Sequence, residues 1–147
     1  MHAAVNDYRQ PLGYLVRVAQ TQEQAEEAAR FLSYEQIGQI IASPDAAAEA
    51  MAEIILNACN SSFAGFETED VLKPVSAADE SLFVNRLRRE TILAYLTQPQ
   101  MGPTIFIGHD VPHVSPGGIL AVYRERDEFL FFPRTMIENY EAIHVSA

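Results

Sequence analysis

The chain has 147 residues, 48% of them hydrophobic and 20% charged, with 20 acidic against 10 basic side chains and a net charge of −10. Such a composition fits one globular domain over residues 1–147, able to bury roughly 68–70% of its unfolded surface, and argues against wholesale disorder. A surface this acidic, with a pI of about 4.7, repels phosphate backbones, so direct nucleic-acid binding is not expected; high solubility or a basic protein partner is.

Cys59 is the single cysteine. It can form no internal disulfide and no multi-cysteine zinc site, and it fits a reducing, cytoplasmic setting. Met1–Tyr8 lacks a basic n-region and Arg17 interrupts the only apolar run nearby, so no signal peptide is expected. No run approaches the roughly 18 apolar residues of a spanning helix, and no membrane association is expected.

Residues 1–7 are expected to be a flexible start. Leu12–Ala19 alternates, with Leu12, Tyr14, Val16 and Val18 on one side, which is the pattern of a strand with one face in a core. From Thr21 the period changes. Thr21 and Gln24 form a capping box, and Ala25, Ala28, Ala29 and Leu32 share a face opposite Glu23, Glu26, Glu27 and Arg30, so a helix is predicted over Gln22–Leu32. The apolar stripe then shifts to Ile37, Ile40 and Ile41 behind a second box, Ser33 with Gln36, and a second helix is predicted over Tyr34–Ala42.

Ser43-Pro44 opens a third helix, with Ser43 as its N-cap and Pro44 at its first position. Ala47, Ala50, Met51, Ile54, Ile55 and Ala58 form its apolar stripe, and Asp45, Glu49, Glu53 and Asn57 run along the other side. Asn60–Pro74 connects, with a short edge strand at Phe66 or Val71-Leu72. Ser76 and Asp79 cap a helix reaching about Thr97, apolar on most of its circumference and therefore central.

Thr104–Gly108, Gly118–Glu125 and Glu128–Pro133 are predicted strands, the last two a hairpin. Their apolar residues fall on both faces, which indicates a sheet covered on both sides. Glu125–Glu128 lacks the Asn-Gly or Asp-Gly of a two-residue turn, and a longer loop is expected there. Thr135 with Glu138 caps a short helix to about Ala142, and His144–Ala147 is a tail or an edge strand. The fold class that follows is α+β: an N-terminal strand, three to four helices, then a C-terminal, mainly antiparallel sheet containing the hairpin and a short terminal helix.

The polar cluster of the loop 108–118 is the one place with metal-ligand chemistry. His109, Asp110 and His113 supply two imidazoles and a carboxylate, three potential metal ligands. Pro112 denies the helix that a zinc-protease motif needs, and Asp110 stands where its glutamate would be. Ordinary loop residues, with Asp110 making a turn before Pro112, are the more frequent outcome. His113-x-Ser115-x-Gly117 is no nucleophile elbow, because its first glycine is replaced and Pro116 removes the oxyanion amide. Cys59 borders an alanine-rich stripe without an electropositive setting, so it reads as a small core residue. Glu67, Glu69 and Asp70 lack calcium-loop spacing. Arg86, Arg88 and Arg89, with Arg124, Arg126 and Arg134, could meet a carboxylate or phosphate ligand, but such residues more often offset a local excess of acid.

Two rows of carboxylates remain: Glu23, Glu26 and Glu27 on one helix, and Asp45, Glu49 and Glu53 on another. A shared surface of both rows would speed association with a cationic partner. The leading expectation is therefore a small acidic interaction module of inhibitor, immunity or chaperone type, binding a basic protein through these six residues. The sequence assembles no catalytic set, and no cofactor is expected. The first alternative is a metal- or small-ligand-dependent enzyme or binding domain centred on His109, Asp110 and His113. The second is a homo-oligomeric structural subunit.

Overall fold

A computed structural model describes residues 11–34, 37–59, 65–69, 102–109, 111, 114–125, 128–133 and 143–146. Their elements run β1 (Gly13–Arg17), α1 (Gln22–Leu32), β2 (Gln39–Ala42), α2 (Ala46–Ala58), β3 (Glu67–Thr68), β4 (Thr104–Gly108), β5 (Ile119–Glu125), β6 (Glu128–Pro133) and β7 (Ile143–Ser146). The strands form one seven-stranded sheet in the order β3-β2-β4-β1-β5-β6-β7. β1 stands at its centre and divides it. The pairs β1–β4, β2–β4 and β2–β3 are parallel, while β1–β5, β5–β6 and β6–β7 are antiparallel.

This corrects the expected architecture in two respects. The sheet is mixed, not mainly antiparallel, and the described residues contain two helices, not three to four. The predicted helix Tyr34–Ala42 is replaced by strand β2, Gln39–Ala42. Ile40 faces the helices and Ile41 the opposite side of the sheet, and both are fully buried. The short apolar run Ile40-Ile41-Ala42, buried on both faces, suits an internal parallel strand, where β-branched side chains pack well. The predicted helices ending near Thr97 and Ala142 lie outside the described residues, as do residues 1–7.

The N-terminal helix matches the pattern that predicted it. Thr21 Oγ1 accepts from Gln24 N at 3.1 Å, and Gln24 Oε1 accepts from Thr21 N at 3.3 Å. Helix α2 starts later than predicted. Ser43 still belongs to the sheet, its amide donating to Ile107 O at 2.9 Å, so Asp45 is the N-cap and Oδ1 accepts from Ala48 N at 2.9 Å.

Both helices cover the same face. Ala25, Ala28, Ala29 and Leu32 of α1 and Ala48, Met51, Ala52 and Ile55 of α2 join one core with Tyr14, Val16, Ile40, Ala42, Ile105, Ile107, Ile119 and Ala121. The small alanines let the helices approach closely. Their C-terminal ends also meet, where the Cys59 thiol donates to Leu32 O at 3.8 Å. Register sets the layer directly: Ile40, Ile105, Tyr14 and Ala121 form one row across four strands. The opposite face carries the row Ile41, Phe106, Leu15 and Leu120, each at most 1% exposed. At about 1.5–3 kcal/mol for each large apolar side chain withdrawn from water, both faces contribute strongly to stability.

The two crossovers, β1-α1-β2 and β2-α2-β3, step the same way along the sheet with their helices on the same face, so they share one hand. Both helices consequently begin at the carboxyl end of the parallel strands. The edges are β3, which follows Phe66 as a short exposed strand, and β7, which takes up the segment read as a tail or edge strand. The β5–β6 ladder runs out to Glu125↔Glu128, so two residues connect the hairpin and the longer loop expected there is absent. No helix among the described residues is long and apolar enough to cross a membrane.

Candidate functional site

Three loops and two helix N-termini converge at the carboxyl end of the parallel strands. The connection from β4 to β5 crosses the end of β1 and is fastened there. Gly117 N donates to Arg17 O at 2.9 Å, Arg17 N to Gly118 O at 3.0 Å, and Arg17 Nη1 to Val114 O at 2.6 Å. The two glycines have steric reasons to be glycines. Gly117 has φ +84, a left-handed conformation, and a Cβ there would lie 3.0 Å from Gln24 Cβ in the first turn of α1. A Cβ on Gly118 would lie 2.5 Å from Val114 Cβ. Gly117 thus allows the loop to press against α1, and Gly118 allows it to fold back on Val114.

His109, the first residue after β4, reaches the cap of α2. Its Nε2 stands 3.0 Å from Asp45 Oδ1, the oxygen that also accepts from Ala48 N. Sixty-four positions of sequence separate the pair. Burial pushes the Asp45 carboxyl up, but it is outweighed by the Ala48 amide, the hydrogen bond and charge of His109, and the Ala47 amide, so its pKa is lowered. An ionised carboxylate only accepts, so Nε2 is the donor in this contact and Nδ1 is the ring nitrogen that takes no part in it. The side chains are 55% and 39% exposed, so the contact lies at the surface.

The sequence grouped His109 with Asp110 and His113; those two lie outside the described residues. Among the described residues no group of three or more His, Cys, Asp or Glu side chains could hold a metal ion. Ser115 is exposed, and its carbonyl accepts from Gly118 N at 2.7 Å in a turn. Cys59 is half-buried, and burial pushes its thiol up, the reverse of what a nucleophile needs. Arg86, Arg88 and Arg89 lie outside the described residues.

The carboxylate rows sit on the helical layer. Glu23, Glu26 and Glu27 on α1 and Glu53 on α2 are exposed, and Glu49 is half-buried. Asp45 takes part in the cap and the imidazole contact besides its place in the row. Within the two helices and their caps, six carboxylates face one cation, Arg30. At the C-terminal end of α1, Tyr34 is 85% exposed, the one large hydrophobic side chain so placed among the described residues. Sequence reasoning put Tyr34 at the start of a helix and gave it no role; the break after Leu32 was the signal that it stands beyond a helix end.

Two features missed in the sequence, the Asp45–His109 contact and the exposed Tyr34, thus flank the helical layer that carries the acids. No family model, no curated protein and no solved structure matches this chain.

Proposed function

We propose that the protein is a small acidic interaction module that binds a basic partner protein through the outer surface of α1 and α2. The observation that carries this reading is the side-by-side packing of the two helices on one sheet face, which puts both carboxylate rows on the same layer. Glu23, Glu26, Glu27 and Glu53 are exposed there, with Glu49 and Asp45 beside them. One layer with six acids and one arginine concentrates much of the net charge of −10. Such a field steers an oppositely charged protein into encounter, raising on-rates by roughly 10–10³ at low salt. Tyr34 supplies the kind of amphipathic aromatic that anchors interfaces. The cytoplasm is the compartment we propose, on the strength of the single cysteine.

The test is affinity capture with two baits, the natural chain and a variant carrying Glu23→Lys, Glu26→Lys, Glu27→Lys and Glu53→Lys. A basic protein held by the first bait, released by added salt and absent from the second is the expected result. The same proteins on both baits would sink the proposal.

A second reading is favoured by the Asp45–His109 contact. Open sheets with parallel strands bind ligands beyond the carboxyl ends of those strands, and the pair stands at the ends of β2 and β4. In this reading His109, with Asp110 and His113, holds a metal ion or a small ligand. Metal analysis of untagged protein tests it: a stoichiometric ion lost in both His109→Ala and His113→Ala is required, and metal-free protein retires the metal version.

A further inference from the structure

We draw no further inference here: the strongest candidate, the buried Ser43 side chain at the carboxyl end of β2, carries nothing because nothing in the structure shows what covers it.

Discussion

Asp45 is where three parts of the fold meet, and its substitution separates their contributions. One oxygen, Oδ1, accepts from Ala48 N at 2.9 Å and from His109 Nε2 at 3.0 Å. Asp45→Ala removes both bonds. Loss of a side-chain N-cap costs typically about 1 kcal/mol, within a range of roughly 0.5–2. Asp45→Asn keeps an acceptor oxygen and so keeps the cap, since the two residues cap about equally well. It loses only the charge, whose pairing with a half-exposed imidazole contributes about 0–1 kcal/mol.

The expected order of stability is therefore natural chain, then Asp45→Asn, then Asp45→Ala. Urea unfolding at neutral pH, followed by circular dichroism, measures it. With a slope of about 1–3 kcal/mol per molar urea, a loss of about 1 kcal/mol moves the midpoint by roughly 0.3–1 M. His109→Ala completes a thermodynamic cycle: it should cost up to about 1 kcal/mol in the natural chain and almost nothing beside Asp45→Ala. The pH dependence has a fixed sign. The folded-state pKa of Asp45 is lowered, so its charge contributes fully above the unfolded value of roughly 4, and that contribution is lost as pH falls through the lowered folded value. The gap between the natural chain and Asp45→Asn should close over that acid range. Equal losses for Asp45→Ala and Asp45→Asn, or a gap that widens in acid, would refute the reasoning.

Three other outcomes follow from the packing. Gly117→Ala places a side chain on a backbone with φ +84 and a Cβ 3.0 Å from Gln24; thermal unfolding should report a loss of about 1–2 kcal/mol or more, and an unchanged midpoint would contradict the fitted loop. Ile55→Ala empties a site with 0% exposure between the helices and the sheet, with an expected cost of about 2–5 kcal/mol, whereas Glu53→Ala on the exposed side should stay within about 0.5. The Cys59 thiol, pushed up by burial, should be alkylated by iodoacetamide more slowly in the folded chain than in urea; equal rates would mean that the end of α2 is open.

The legible parts of this fold were those set by local rules. Helix α1 begins and ends where its capping box and alanine stripe place it, and β4 has the predicted limits Thr104–Gly108. The hairpin strands were equally plain. What failed was the segment around Ile37–Ala42. Isoleucines at positions 37, 40 and 41 fit a helical stripe as well as a short, doubly buried strand, and only tertiary pairing with β4 decides between them. That one misreading hid the β1-α1-β2 unit, and with it the parallel half of the sheet. The Ser43-Pro44 cap failed for a related reason, because a strand now ended where no strand had been foreseen. Asp45 and His109 were each singled out, but for different reasons. Their contact depends on β2 and β4 being neighbours, which no local pattern encodes.

The central claim is that the acidic helical layer recruits a basic partner by its field. The direct measurement is the association rate with the captured partner, by stopped-flow mixing from about 20 mM to 500 mM salt, a range over which screening grows strongly. The claim predicts a rate that falls steeply with salt. It also predicts a rate at least about tenfold lower at low salt once Glu23, Glu26, Glu27 and Glu53 are reversed to lysine. An association rate indifferent both to salt and to those four reversals would contradict it.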